Sequence, residues 1–381
     1  MRILNSTTLH GWSAGSWYAV NMLGGLVGRG HDVHVLVREG PTAQACREAG
    51  MEVLHEPDLL EAGLWGARRT RARLEEMRQR LRPDVIVAHW GPDHTWWGLA
   101  AGHPATRTPL VRLRAHDPRP PARHPLSRWL HSWRTEAFIV ANEPQRRAYT
   151  EDLRIPPHRV HRIPPGYQPA GEAPGGPSPQ QVRARCGVGE GEQLVVSLAR
   201  FAPQKDHATF FRAAALAAAA VPGLKFLAAG YPAEHGEERI RRLAARYALP
   251  EDRWTLWSER LEDGRPLVRA ADIGVIHSSG SEAISRAAME FMDEGIPLAA
   301  TTVGSLPEVI HDWTSGLLVP PGEPETLAGA LVRLARSGEL RRRLARGARE
   351  RLLEVFDPQE AVIRFEETLE GVVEEGAGVR R

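Results

Sequence analysis

The stretch ADIGVIHSSGSEAISRAAMEFMDEGIPLAATTVGSLPEVI, residues 271–310, decides the fold of this chain. Residues 272–277 are a short apolar run that suits a buried strand. Residues 278–284 are small and glycine-containing, the text of a loop. Residues 286–293 have the composition of a helix, and Ser285 is placed to cap it. Glu294-Gly295 ends that helix, and residues 296–300 open the next strand. Strand, tight loop and helix N-terminus make an anion seat, because the first N–H groups and the positive end of the helix dipole point above the sheet. Glu282, in the loop, and Glu290, just over a turn into the helix, frame that seat. Carboxylates repel phosphate and accept from hydroxyls, so the arrangement suits a sugar nucleotide. The competing reading is an ordinary βαβ unit whose acidic residues favour a helix N-terminus.

Outward from this stretch, the pattern repeats in both directions. Toward the N-terminus, 194–199 (LVVSLA), 224–229 (LKFLAA) and 254–257 read as strands, with helices at 207–220, 237–247 and 264–270. Toward the C-terminus, GLLV at 316–319 precedes helices at 324–336, 339–356 and 358–370. The first half alternates likewise. Strands at 1–9, 32–37, 51–54, 84–88, 110–115 and 137–141 are separated by helices at 16–28, 64–81, 96–102 and 127–135. Such alternation predicts parallel sheets covered on both faces. Between the halves, 155–179 (IPPHRVHRIPPGYQPAGEAPGGPSP) is rich in proline and glycine and reads as a linker with one short strand at 160–163. The expected fold is therefore α/β, with two Rossmann-like doubly wound domains facing across a cleft. The domains are 1–167, on the acceptor side, and 168–357, on the donor side. Residues 358–381 form a last helix that returns to the first domain, followed by a polar tail.

The 42% apolar and 25% charged content is that of a soluble globular protein, and 381 residues suffice for two domains. No apolar run approaches the about 20 residues that span a bilayer, and residues 1–9 read as a strand, not a signal peptide. Cys46 and Cys186 lie far apart and suit free thiols in a reducing cytoplasm. The net charge of +2 is unevenly shared: residues 1–170 hold 23 arginines against 16 acids, and eight of the eleven tryptophans. That excess suits an anionic lipid surface or a phosphate-bearing acceptor, or equally a solvated arginine-rich surface. The text holds no nucleic-acid-binding motif.

Candidate chemistry gathers where strands end. Arg200 and Lys205 follow the strand at 194–199 and would neutralise a diphosphate. Lysine is rare here, with two (Lys205 and Lys225) against 47 arginines, so Lys205 suggests a need for a compact point charge. His89 and His116 each follow an apolar strand, and His116 is next to Asp117. The loop HGWSAGS offers Gly15 beneath a phosphate, but lacks G-x-G-x-x-G. Its GWSAG also fits G-x-S-x-G, with Ser13 as a hydrolase nucleophile, although on the first strand no earlier strand supplies an oxyanion loop. Neither D-x-D nor any P-loop, H-E-x-x-H or C-x-x-C motif occurs, so no metal is expected.

These residues resemble the GT-B-fold retaining glycosyltransferases of glycosyltransferase family 4. Glu282 and Glu290 resemble its E-x7-E motif, Gly304 to Glu308 (GSLPE) its G-G-x-P-E, and Gly295-Ile296-Pro297 its G-x-P. Arg200 and Lys205 match its R…K pair. Residues 137–168 resemble its interdomain crossover, with Asn142 for a usual serine and Gly166 for the glycine of N-G-V. The resemblance implies that Arg200 and Lys205 bind the donor diphosphate, helped by N–H groups near Ser285. It implies that Glu290 accepts from ribose hydroxyls, and that Glu282 holds the donor sugar. His116 would lie near the sugar, and the backbone of Ser258 to Leu261 would border the base. Transfer would retain configuration, with a nucleotide-diphosphate sugar as substrate and neither cofactor nor metal. Two departures stand out. Ala283-Ile284-Ser285-Arg286 replaces G-F-G-L, losing backbone freedom in the donor pocket and adding the Arg286 cation. Ala14-Gly15 replaces a glycine pair.

The expected function is sugar transfer to a glycolipid or polysaccharide precursor of lipopolysaccharide type, in the cytoplasm and against the inner membrane face. A sugar-nucleotide epimerase of the same architecture, a non-catalytic sugar-nucleotide-binding protein and the Ser13 hydrolase are the rivals.

Overall fold

A computed structural model of the chain describes residues 1–7, 11–54, 67–100, 108–115, 124–168, 176–259, 261, 264–280 and 282–378. The chain divides into two compact units, 1–166 with 357–381, and 167–356.

The first unit runs β1 (Arg2–Thr7), α1 (Ala14–Gly28), β2 (Asp32–Val37), α2 (Pro41–Glu48), β3 (Glu52–Leu54), α3 (Ala67–Leu81), β4 (Val85–Ala88) and α4 (Gly91–Ala100). It continues with β5 (Leu110–Arg114), α5 (Pro125–Trp133), β6 (Ala137–Val140), α6 (Glu143–Arg147) and β7 (Val160–Arg162). Its seven strands are parallel, in the order β3-β2-β1-β4-β5-β6-β7. Every residue of β4, β5 and β6 is buried, as expected of parallel strands covered on both faces.

The second unit runs α7 (Pro179–Arg185), β8 (Gln193–Leu198), α8 (His207–Ala220), β9 (Leu224–Ala229), α9 (Glu237–Arg246), β10 (Trp254–Trp257), α10 (Arg265–Arg269) and β11 (Ile273–Ile276). Then come α11 (Arg286–Asp293), β12 (Leu298–Thr301), α12 (Leu306–Val309), β13 (Leu317–Val319), α13 (Pro324–Arg336) and α14 (Gly338–Val355). Six parallel strands lie in the order β10-β9-β8-β11-β12-β13. Phe210, Phe211, Phe226, Leu327 and Leu331 sit in its core, all at 0% exposure. Strand order reverses between β8 and β11, and in doubly wound sheets ligands bind outside the strand C-termini at such a reversal. The loops after β8 and β11 therefore frame the candidate site.

The last helix, α15 (Pro358–Gly378), belongs to the first unit, although the chain reaches it from the second. It lies against α1, where a side chain at Gly25 would collide with Val362. Arg29 and His31 pair with Glu366 at 2.6 and 2.5 Å. Tyr18 Oη donates to the Ile163 carbonyl at 2.9 Å.

Several segments differ from the sequence expectation: helices at Pro41–Glu48, Glu143–Arg147 and Leu306–Val309 were not expected, and the last helix, expected to give way to a polar tail after 370, runs to Gly378. Part of the stretch expected as linker is packed: Ile155 and Ile163 are buried, and their apolar side chains outweigh the neighbouring prolines. Residues 169–175 lie outside the described residues. The helix expected at 96–102 begins at Gly91, where Asp93 accepts the Trp90 N–H at 3.1 Å and Pro92 fits the first turn. The helix α7 was not expected, yet Ser178 and Gln181 form a capping box with Pro179 between them.

Candidate functional site

Leaving β8, the chain passes exposed Arg200 and turns through a single 3-10 turn, Pro203–Lys205. Asp206 then adopts left-handed backbone, φ 51, and caps α8 by accepting the Thr209 N–H at 3.3 Å, while its other carboxylate oxygen accepts from Thr209 Oγ1 at 2.7 Å. The loop after β11 docks on that turn. Ser279 and Gly280 both donate their N–H groups to the Gln204 carbonyl, at 3.0 and 3.2 Å. His277, the first residue beyond β11, reaches beneath it: its Nδ1–H donates to the Lys205 carbonyl at 2.5 Å. The carbonyl can only accept, so Nδ1 carries the proton. Nε2 lies 2.6 Å from Ser197 Oγ. Burial pushes the His277 imidazole down to about 4, so near neutrality the ring is uncharged and Nε2 accepts from Ser197. Burial also drives neighbouring His207 down to about 2.

Glu282 is the most constrained group of the loop. Its side chain is 3% exposed and pairs with the Lys205 ammonium, itself 18% exposed. Ser278 Oγ donates to the same carboxylate oxygen at 2.5 Å, while Thr301 Oγ1 holds the Ser278 carbonyl at 2.7 Å. The Glu282 carbonyl accepts from Ser305 N–H at 2.7 Å. This close approach needs Gly304, whose φ is +58 and where a Cβ would collide with that carbonyl. The GSLPE segment thus backs the Glu282 loop.

One turn on, Arg286 Nε donates to Glu290 Oε1 at 2.7 Å across i,i+4. Ser285 stands at the N-cap of α11 and is buried, but its side chain makes no capping bond. The expected capping role is therefore corrected: its backbone, φ −96 and ψ 80, departs from the extended conformation usual at a capping position. At the positions where glycines were lost, Ala283 and Ser285 are both buried, so their side chains fill space inside the loop.

The structure thus brings Lys205, Glu282 and Ser285 in the loops, and Arg286 and Glu290 in the first turns of α11, to the β8/β11 reversal, with Arg200 just beyond β8. Ser258 and Leu261 follow β10, with β9 between that strand and β8, and both are half-buried. Gly15 lies in the first unit, buried in the first turn of α1. His116 and Asp117 lie outside the described residues. His89 is buried beside Thr7, 3.4 Å from its hydroxyl, and burial pushes it down to about 3. The hydrolase reading of Ser13 is corrected. Ser13 caps α1, accepting the Ser16 N–H at 3.1 Å, six residues beyond the end of β1. A nucleophile elbow instead follows its strand directly.

Sequence reasoning missed His277, Ser278 and Ser197. The signal for His277 was present, since it closes the apolar run 272–277 much as His89 follows the run 84–88. Among the described residues, one group of side chains could share an ion: atoms of His31, Glu366 and Glu370 lie within 4.8 Å of one another. It lies in the first unit, and Glu366 is already held there by Arg29 and His31.

Chemically, two cation–carboxylate pairs stand side by side at the reversal, beside a helix N-terminus whose capping residue leaves its N–H groups unbonded by its side chain. A ligand carrying both phosphate and hydroxyls matches them: ammonium and guanidinium for the phosphates, carboxylates for the hydroxyls.

The chain is similar to known proteins in sequence and in fold. Residues 15–170 match the family model described as Glycosyltransferase Family 4, and residues 180–351 match that of Glycosyl transferases group 1. A D-inositol 3-phosphate glycosyltransferase of Saccharomonospora viridis is 33% identical over 201 residues, 51% of this chain and 46% of that protein. The protein of that name from Acidothermus cellulolyticus is 31% identical over 201 residues, 50% and 44% of the two chains. The chain thus spans about half the length of the curated relatives it matches. Anabaena HepE in complex with UDP is similar in fold, with TM-score 0.80 and 17% identity over 97% of this chain and all of that one. A glycosyltransferase of Rickettsia africae gives 0.83, with 16% identity over 98% of each chain.

Proposed function

The chain belongs to the GT-B-fold glycosyltransferases, and from that membership we propose that it moves a sugar from a nucleotide-diphosphate donor to an acceptor with retention and without a metal. The observation that carries this reading is the Lys205–Glu282 pair at the β8/β11 reversal, one turn ahead of Arg286–Glu290. Donor entry exchanges partners: Lys205 and Arg200 turn to the diphosphate, with Arg286 and the N–H groups after Ser285 beside them. Glu282, relieved of its ammonium, accepts from sugar hydroxyls, and Glu290 accepts from the ribose. As the bond from anomeric carbon to phosphate oxygen breaks, negative charge grows on the departing diphosphate. A fixed ammonium and guanidinium stabilise it more than they stabilise the bound donor, which is what lowers a barrier. The backbone at Ser258 and Leu261 borders the base. UDP, present in the HepE complex, is the first nucleotide to try.

The proposed acceptor is a glycolipid or polysaccharide precursor of lipopolysaccharide type, met in the cytoplasm at the inner membrane face. The basic, tryptophan-rich first half supports it. A small phosphorylated polyol is the second reading, favoured by the name the curated relatives share.

A panel of nucleotide sugars, incubated with the protein and scored for nucleotide release with and without candidate acceptors, tests this reading. Release of a nucleoside diphosphate with an α-linked product from an α-linked donor, in excess chelator, is expected. Epimerisation without transfer would replace the reading, as would binding without turnover across the panel.

A further inference from the structure

The helix α12 has little stability of its own. At four residues it is only the nucleating turn, the costly part of a helix, and no side chain caps its start. Yet it backs the Glu282 loop, because Ser305, the residue before it, donates its N–H to the Glu282 carbonyl at 2.7 Å. A turn so short keeps its place only through partners outside it.

Arg351, in α14, is such a partner. Its Nε donates to the Val309 carbonyl at 3.0 Å and its Nη2 to the Glu308 carbonyl at 2.5 Å, the last two carbonyls of α12. Gly347, one turn earlier, permits the approach: a Cβ there would collide with the Thr314 carbonyl, in the loop that follows α12. Arg342, Arg343, Arg346 and Arg349 of the same helix are exposed, whereas Arg351 is half-buried. Burial pushes its guanidinium down from the usual value. Two carbonyls at a helix end, which lack partners within the helix, offset that lost hydration. The bonds continue toward the site. Glu308 and Val309 donate their N–H groups to the Ser305 carbonyl at 2.9 and 3.0 Å. Ser305 is therefore held on both sides, its carbonyl by the turn that Arg351 fixes and its N–H by Glu282.

We propose that Arg351 is a positioning residue for the donor sugar: by fixing the single turn of α12 it sets the Glu282 backbone, and with it the carboxylate that accepts from sugar hydroxyls. The role rests on the function given to Glu282 above. The path ends at Glu282 and bypasses Arg200 and Glu290, the groups given to the diphosphate and the ribose.

The test compares full-length wild type, R351K and R351M with a donor that wild type turns over, at a temperature where circular dichroism shows each protein folded. In R351M, kcat is expected to fall about tenfold or more, while the Kd of the free nucleoside diphosphate changes by less than about twofold. R351K keeps the cation but has no planar fork to span two carbonyls, so it recovers part of the loss. An arginine that only supports the fold would lower stability and leave kcat per folded molecule in place, and that result would overturn the proposal. A loss of nucleotide affinity as large as the loss of kcat would overturn it too. Where R351M does not fold, R351K decides: a severalfold lower kcat with unchanged nucleotide affinity supports the role, and a kcat equal to wild type removes it. A wild type that turns over no donor would instead remove the function reading, and this role with it.

Discussion

His277 is joined to Lys205 through the backbone: the imidazole Nδ1–H donates to the Lys205 carbonyl at 2.5 Å, while the Lys205 side chain leaves in another direction, toward Glu282. A buried ring thus fixes the base of a lysine whose tip remains within reach of ligand. Asparagine places its Nδ2 donor close to the Nδ1 position, whereas glutamine reaches the Nε2 position, toward Ser197. H277N is expected to keep donor KM within severalfold of wild type. H277Q is expected to raise it about tenfold, the cost of one lost buried hydrogen bond. Steady-state kinetics with saturating acceptor separate the two. Equal KM values would leave His277 a packing residue only.

Removing Lys205 leaves the Glu282 carboxylate buried without its counter-ion. K205M should lose turnover and also cost about 2 kcal/mol of unfolding free energy, below the usual figure for a fully buried pair because the lysine is 18% exposed. The double variant K205M/E282M should regain most of that stability and none of the turnover. Urea unfolding read beside nucleotide release checks both halves; a double variant with restored turnover would remove the pair from the mechanism.

Gly304 is held at φ +58 against the Glu282 carbonyl. G304A should cost about 2 kcal/mol through left-handed strain and the collision with that oxygen. Because the collision displaces Glu282, kcat should fall more than the stability loss explains at a temperature where the variant remains folded. A fully active G304A would show that the Glu282 position is uncritical.

Ser13 caps α1, so S13A should cost about 1 kcal/mol and leave nucleotide-sugar turnover in place. A serine-directed phosphonate should not label the protein. Loss of all activity together with labelling at Ser13 would restore the hydrolase.

Acid should destabilise the second unit before its carboxylates titrate. His207 and His277 are held near 2 and 4 by burial, below the 6.5 of an unfolded histidine. The unfolded chain therefore binds protons that the folded chain refuses, and stability falls as pH drops from about 6.5 toward 4. Each histidine contributes up to about 1.4 kcal/mol per pH unit in that window. Unfolding midpoints measured from pH 7.5 to 4.5 should show this slope, reduced in H277N. A flat profile would mean that His277 is charged in the fold.

The strands of the second unit were legible because strands buried on both faces write themselves as apolar runs. The expected 194–199, 224–229 and 254–257 match β8, β9 and β10 to within one residue at each end. The pairings inside the site were not. Lys205 and Glu282 stand 77 residues apart, and only the adjacency of β8 and β11 makes them neighbours. Lysine rarity pointed to Lys205, but it pointed equally to Lys225, whose ammonium is buried, donates to the Asp252 carbonyl at 2.7 Å and lies 4.0 Å from the Asp252 carboxylate. The glycine substitutions at 283 and 285 were legible as a departure, while their burial inside the loop was not. The stretch expected as linker misled because proline content records backbone freedom and says nothing of what Ile155 and Ile163 pack against.

Residues 357–381 complete a unit that begins at residue 1. On a ribosome the sheet of that unit emerges first, but α1 must wait through the whole synthesis of the second unit before α15 arrives to cover Gly25 and satisfy Arg29 and His31. The second unit, continuous in sequence, has no such delay. Until α15 arrives, the face of α1 that it covers stays open to chaperones and to misassembly.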